Sequence, residues 1–296
     1  MADAQSPLLV IVGETASGKS DLAVQAAQLL GGEIICADSW TVRREVSIGT
    51  AKPTAKQQAL VPHHLIDIVG PDEDFTAAVF KRLANDKITE ITERGKLPIM
   101  VGGTGLYIDG VVFDFNFLPA GDRVERLALD ALSIEELLTR IKQQGLELGD
   151  TDIRNKRRLI RLLETNGALQ TRQPMRNNTL MIGLTTDRET LRERITNRVD
   201  NMILAGLEQE VDSLQIKYGW DCEGLKGVGY SQWRDYFLSQ KKDEDRELVR
   251  QRIIKATLDL AKRQRTWFKR NKSIHWFITP VNIDAVVDLA TTNLSK

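Results

Sequence analysis

Gly13-Glu14-Thr15-Ala16-Ser17-Gly18-Lys19-Ser20 decides the fold of this chain, because it has the G-x-x-x-x-G-K-[ST] spacing of a phosphate-binding loop. Upstream, Leu8, Leu9, Val10, Ile11 and Val12 make a short β-rich run, expected to be a buried strand. Gly13 and Gly18 permit the backbone angles that turn several N–H groups toward one anion, with Thr15, Ala16 and Ser17 supplying the turn between them. Lys19 adds a point charge, and the Ser20 hydroxyl is suited to hold a magnesium ion shared with a bound diphosphate. A helix expected from about Lys19 to Leu30 aims its positive end at the same spot. The loop alone leaves open whether its phosphates belong to a nucleotide such as ATP or to another diphosphate.

Downstream, Gly31-Gly32 breaks the helix, and Glu33 to Ala37 reads as a second strand ending in Asp38-Ser39. Strand, helix, strand is the parallel unit that a phosphate loop needs, and the carboxyl ends of such strands form the ligand crevice. Asp38 is therefore expected at the same rim as Lys19, as a base or magnesium partner rather than as a solvated loop charge. Leu97 to Val101 is a third strand, opening into the glycine-rich turn Gly102-Gly103-Thr104-Gly105, and Phe75 to Arg94 is a helix before it. Between them, Thr41 to Asp74 lacks periodicity and reads as a long excursion. Its adjacent His63 and His64 point opposite ways on an extended strand, so they read as structural rather than as a joint metal site.

Composition narrows the classes. The chain has 296 residues, 42% hydrophobic and 28% charged, which fits an ordinary globular protein of one or two domains. No run of eighteen apolar residues and no signal-peptide pattern occurs, so the expectation is a cytoplasmic protein without membrane contact. Two cysteines, Cys36 and Cys222, rule out a disulfide framework or a cysteine-rich zinc site. A net charge of zero excludes a uniformly basic surface but leaves room for basic faces.

Two such faces are expected. From 116 to 178 the chain has two helical patterns and no convincing strand, the composition of a small helical insertion into a core formed by 1–115 and 179–296. The first pattern opens with the capping box Ser133 to Glu136; the second, near Asp152 to Thr165, places Arg154, Arg157, Arg158 and Arg161 on one helical face. Like charges on one face repel unless an anion such as a nucleic acid backbone neutralises them. After a strand at Leu180 to Leu184, Thr186 to Glu189 reads as a capping box for a helix with an apolar stripe through Leu191, Ile195 and Val199, flanked by Arg188, Arg192, Arg194 and Arg198. A long helix then runs from about Asp245 to Arg270. Between Arg246 and Lys272 there are ten Lys or Arg against two acidic residues, with Trp267 and Phe268 available for RNA stacking or for the core. Ile274 to Ile278 reads as the last strand. The fold class is thus α/β: a parallel phosphate-loop sheet flanked by helices, with a small helical insertion domain.

The assembled stretches resemble the tRNA dimethylallyltransferases, also called tRNA isopentenyltransferases. The resemblance rests on the loop Gly13 to Ser20, Ala37-Asp38-Ser39, Ile48-Gly49-Thr50-Ala51-Lys52-Pro53, His63-His64-Leu65-Ile66-Asp67, Val101 to Tyr107, Arg158-Leu159-Ile160-Arg161, Gly229-Tyr230, and Ala261-Lys262-Arg263-Gln264 with Thr266-Trp267. It implies transfer of a dimethylallyl group from dimethylallyl diphosphate to N6 of adenosine 37 in the tRNA anticodon loop, with pyrophosphate and magnesium held by Lys19, Ser20 and the loop amides. It further implies Asp38 as general base, Thr104 near the target nucleotide, and contacts to tRNA from Ser39, Trp40, Thr41, Arg157, Arg158, Arg161 and Arg263. Separately from the resemblance, a monomer is expected. The chain departs from the family pattern where Thr41 replaces Gln, Arg43 replaces Tyr, Leu258 replaces Arg and Ser231 replaces a basic residue. The competing expectation is a nucleotide or small-molecule kinase, with ATP on the same loop; the basic helices favour an RNA acceptor.

Overall fold

The computed structural model describes residues 5–119, 121–149, 151–168, 170–239 and 243–294. The chain divides into two units, one formed by Met1–Phe113 and Met175–Lys296, the other by Asp114–Pro174.

In the larger unit the first half runs β1 (Leu8–Gly13), α1 (Lys19–Leu30), β2 (Gly32–Ala37), α2 (Ala55–Leu60), β3 (His63–His64), α3 (Ala77–Glu93), β4 (Leu97–Gly102) and α4 (Gly105–Val112). The apolar runs became strands because each is buried along its whole length or nearly so, as sheets covered on both faces require. Helix α1 starts at Lys19 after Gly18, whose φ of 87° is left-handed, and stops at Gly31, φ 67°, whose N–H bonds the Ala27 carbonyl.

The smaller unit contributes α5 (Arg123–Ala131), α6 (Ile134–Gln143) and α7 (Lys156–Glu164). Three helices stand there where two patterns were expected, since α5, capped by Asp122, is short. Leu129, Leu137, Ile141, Leu159, Ile160, Leu162 and Leu163 form its separate core. The basic face needs correction. Asn155 caps α7 by accepting from the Arg158 N–H, so Arg154 lies outside the helix and does not share the face. Arg157 and Arg158 are exposed, but Arg161 donates to the Leu118 carbonyl at 2.6 Å and to Glu164 at 3.2 Å. Glu164, its side chain 1% exposed, also takes Arg126 at 2.6 Å, so the anion that offsets Arg161 lies three residues further along the same helix.

The chain returns to the larger unit at Met175, which packs against its core, and Arg176 donates its N–H to the Val112 carbonyl at 2.8 Å. Then follow β5 (Thr179–Thr185), α8 (Arg188–Leu204), α9 (Leu207–Tyr218), α10 (Arg234–Leu238), α11 (Asp243–Phe268), β6 (Ile274–Ile278) and α12 (Ile283–Asn293). Helix α8 is capped by Asp187, accepting from Thr190, and not by Thr186 as the box pattern predicted. Helices α2, α4, α9, α10 and α12 stand where the sequence reading predicts none. Thr54 and Gln57 form a complete capping box for α2, a signal available in the sequence.

The six strands are all parallel in the order β3-β2-β4-β1-β5-β6. The connection from β4 to β5 crosses over β1, so the crevice of this sheet opens at the carboxyl end of β1, where the phosphate loop begins. Alternate β1 residues feed opposite faces: Leu8, Val10 and Val12 pack with α3, α4 and Phe268, while Leu9 and Ile11 pack with α1 and α12. A third cluster joins α8, α9 and α11 through Ile195, Val211 and Ile253.

Strands β2 and β4 meet most closely where Gly102 faces Ala37, and a Cβ on Gly102 would sit 2.0 Å from the Ala37 carbonyl oxygen. Gly102→Ala is expected to destabilise the protein by about 2–4 kcal/mol, read from the shift in urea unfolding midpoint, because backbone rather than a flexible side chain must move. Among the described residues, no helix is long and apolar enough to cross a membrane.

Candidate active site

The phosphate loop owes its shape to residues that alternate backbone hand: Gly13, Ala16 and Gly18 have φ of 156°, 62° and 87°. Such alternation makes a concave nest of N–H groups beside the start of α1. Ser17 donates its N–H to the Glu14 carbonyl at 3.2 Å, closing the turn, and Lys19 Nζ reaches the same carbonyl at 3.4 Å. Burial, and after it the neighbouring Arg198 charge, push the Lys19 ammonium down to about 8, against the opposing pull of Asp38 and Glu14.

Asp38 follows β2 directly. One carboxylate oxygen accepts from the N–H groups of Trp40 at 2.8 Å and Thr41 at 3.3 Å, an Asx-type turn. The other oxygen makes no hydrogen bond with the described residues. Ser39 donates its N–H to the Thr104 hydroxyl at 3.1 Å, and Thr104 donates its own N–H to the Ala37 carbonyl at 3.3 Å. The turn after β4 thereby holds the turn after β2. Thr41 is buried, its hydroxyl turned toward the Asp38 carbonyl at 3.5 Å.

These elements surround a cavity of about 150 Å³. Thr15, Lys19 and Ser20 line it from the loop, Asp38, Trp40 and Thr41 from the turn after β2, and Val199, Met202, Val228, Ile253 and Leu260 form an apolar wall. Cys36 also lines it, but burial pushes its thiol up, so it stays protonated and unreactive near neutrality. Ala16, Ser17 and Gly18 face a second and more open cavity of about 560 Å³, which shares Lys19, Ser20 and Arg198 with the first. Gly13 and Thr104 line neither; Gly13 ends β1, and Thr104 stands behind Ser39. Arg157, Arg158 and Arg161 belong to the smaller unit.

Two residues outside the expected site set enter it. Arg198 on α8 lines both cavities and donates to the Thr15 hydroxyl and the Thr50 carbonyl, each at 3.4 Å. Its spacing four residues after Arg194 is visible, but four arginines flank that stripe, and only packing brings Arg198 to both cavities and Arg194 to the second. Gln264 accepts from the Thr15 N–H at 2.7 Å and donates to the Gly103 carbonyl at 3.1 Å, tying the two glycine-rich turns together. Nothing local in the sequence signals that bridge, since its partners are 249 and 161 residues away.

The long excursion is scaffolding that forms one wall of the cavity. Lys52 is buried against Asp67 and the Arg43 carbonyl, and Arg43 itself donates to the carbonyls of Gly70, Pro71 and Glu73. Glu210 on α9 accepts the N–H groups of Ser47, Ile48 and Gly49 and the Tyr230 hydroxyl, the last at 2.6 Å. Gly49, Thr50, Ala51 and Pro53 are thereby held at the cavity. Glu210→Ala strands those donors and is expected to cost about 2–3 kcal/mol of stability, checked by chemical denaturation. His63 and His64 form β3 with separate partners: His63 Nδ1 lies 2.8 Å from the Val61 carbonyl and His64 Nε2 2.7 Å from Glu33.

Among the described residues, four of the ten cations of the second basic face are paired. On α11, Arg246 pairs with Glu208, Arg250 with Asp200, Arg252 with Asp235 and Arg265 with Glu14. Lys255, Lys262, Arg263, Lys269, Arg270 and Lys272 remain exposed. The aromatic pair belongs to the core: Phe268 is buried, and Trp267 packs against Gly105 and donates Nε1 to Asp109 at 2.8 Å. Leu258, where a basic residue was expected, packs into the cluster of α8, α9 and α11, and the Ser231 hydroxyl bonds the Gly227 carbonyl.

A parallel sheet with a phosphate loop on β1, and a carboxylate across one cavity from the loop lysine, defines an α/β enzyme that handles a phosphorylated donor. The pattern of the IPP transferase family matches residues 41–271. A tRNA dimethylallyltransferase of Bacillus anthracis is 39% identical over 286 residues, covering 90% of this chain and 89% of its own. Among solved structures, the tRNA isopentenylpyrophosphate transferase of Bacillus halodurans is 37% identical with a TM-score of 0.74, covering 97% of this chain and 95% of that one. The corresponding transferase of Staphylococcus epidermidis is 31% identical with a TM-score of 0.71, covering 97% and 98%. This chain belongs to the IPP transferase family.

Proposed function

We propose that the protein transfers a dimethylallyl group from dimethylallyl diphosphate to N6 of adenosine 37 in the tRNA anticodon loop, releasing pyrophosphate. The observation that carries this reading is the composition of one cavity, which has phosphate-loop residues at one side, Asp38 at another, and an apolar wall. A diphosphate bearing a five-carbon chain needs both a cationic and an apolar neighbour.

The loop amides, Lys19 and Arg198 receive the diphosphate. A target adenine is inaccessible while stacked, so the base is flipped to the cavity side where Asp38 stands. The N6 lone pair forms a bond to the first prenyl carbon as the carbon–oxygen bond breaks, and that electron pair leaves on pyrophosphate. Asp38, with one oxygen held by Trp40 and Thr41 and the other open, accepts the N6 proton. Preorganised N–H groups at the loop stabilise the leaving charge without having to reorganise.

Ser20, at the start of α1, and Asp38 line the same cavity and are hard oxygen donors, while no cluster of three His, Cys, Asp or Glu suited to a metal occurs among the described residues. That donor set fits a magnesium ion held chiefly by the diphosphate and waters, with Ser20 as protein ligand. Bound there, magnesium would neutralise developing pyrophosphate charge. Ser39, Trp40, Thr41 and Thr104 shape the acceptor side. Arg157, Arg158, Arg161, Lys262 and Arg263 supply backbone contacts to tRNA, of which Arg161 is the most constrained by its internal partners. The protein acts as a cytoplasmic monomer in this reading.

The test is to incubate the protein with magnesium, dimethylallyl diphosphate and unmodified tRNA. The expected result is a prenyl mass increment on the nucleoside at position 37. Phosphate transfer from ATP without prenylation would establish the kinase reading instead.

A further inference from the structure

The phosphate loop carries a carboxylate inside a segment built to hold an anion. The Glu14 side chain is 1% exposed, and Arg265 from the last turn of α11 meets it with a two-pronged contact, both nitrogen–oxygen distances being 2.6 Å. Arg265 also donates to the Thr186 carbonyl at 3.1 Å, and Thr186 donates its N–H back to Glu14 at 3.4 Å. The main-chain carbonyl of Glu14 is the one that closes the loop turn and meets Lys19 Nζ. Arg265 lines neither cavity, so it reaches the loop only through Glu14.

We propose that Arg265 is a positioning residue for the diphosphate, acting through Glu14: it cancels a buried carboxylate that would otherwise repel the bound anion. The assignment rests on the reading of Gly13 to Ser20 as the diphosphate holder. A neutralised pair has a signature that a mechanical clasp lacks. Removing the arginine leaves an uncompensated negative charge behind the loop, whereas removing the carboxylate leaves a surplus positive one. The two substitutions therefore act on anion affinity with opposite signs, while loss of a clasp weakens binding in both.

The experiment titrates magnesium and inorganic pyrophosphate into the full chain by calorimetry, which requires no acceptor and no turnover. Four proteins are compared: wild type, Glu14→Gln, Arg265→Met and the double variant. Arg265→Met is expected to weaken pyrophosphate binding roughly tenfold and Glu14→Gln to tighten it roughly threefold, with the double variant recovering most of the loss. Weakening by Glu14→Gln in step with Arg265→Met, or a double variant no better than Arg265→Met, overturns the assignment. If Arg265→Met fails to fold, Arg265→Lys keeps the charge and loses the fork, and must bind within roughly threefold of wild type; a loss as large as tenfold overturns the proposal. Absence of pyrophosphate binding by the wild type would overturn the loop reading and this assignment together, a result distinct from wild-type binding with the wrong variant pattern.

Discussion

Asp38→Asn is expected to lower the rate of prenyl transfer by about 10²–10⁴-fold while tRNA binding is largely retained. The substitution is chosen because the Asx turn survives it: an asparagine oxygen can still accept from the Trp40 and Thr41 N–H groups, so the backbone between β2 and the excursion keeps its course. What is lost is the second oxygen, which has no partner among the described residues and is the acceptor for the N6 proton in the proposed reaction. Single-turnover prenylation at saturating tRNA and donor isolates the chemical step, and filter binding measures the tRNA complex. A rate within a few-fold of wild type would remove Asp38 from the role of base. An equal loss of tRNA binding would make it a recognition residue instead.

Lys19→Met is the other large effect, and it acts on the leaving group. The ammonium is the point charge of the loop, and its loss is expected to lower kcat/KM for dimethylallyl diphosphate by about 10³-fold. Its pH dependence identifies it. Because burial and Arg198 push Lys19 down to about 8, the cation is present below that pH and lost above it in the free protein. The sign is therefore a donor kcat/KM that is flat below about pH 8 and falls tenfold per unit above it. Bound diphosphate favours the charged form, so the corresponding limb in kcat moves to higher pH. In Lys19→Met the alkaline limb belonging to Lys19 disappears along with the activity. An unchanged limb in that variant would assign the titration to another group.

The effects at Gly102 and Glu210 are smaller and concern the scaffold. Both sites show where sequence reading is strong and where it weakens. Gly102 belongs to a glycine-rich turn visible in the sequence, and the structure adds the neighbour that requires a glycine there, the Ala37 carbonyl. Glu210 carried no motif at all. It became visible only when α9 folded beside the excursion and its carboxylate met three consecutive backbone N–H groups.

The same distinction runs through the basic segments. Counting charges along α11 and near α7 identified many cations without their partners, since Asp200, Glu208, Asp235 and Glu14 lie on other elements. A charge run reads as free until the fold brings in its counterions. The elements α4, α5, α9, α10 and α12 are hard to read for a related reason: their stripes are brief, and much of what holds them is packing against partners distant in sequence.

The sequence by itself determined the phosphate loop, the strands around it, the helices α1, α3, α8 and α11, the placement of Asp38 after β2 and the likeness to one family. Each depends on local spacing: period two or a fully apolar run for strands, period 3.6 for helices, and glycines at required turns. Only the tertiary structure decided that Arg198 and Gln264 enter the site, that Trp267 and Phe268 serve the core, and that Glu14 lies neutralised by Arg265 beneath the loop. Those facts depend on contacts between residues more than a hundred positions apart, which arise from packing and leave no trace in any local pattern.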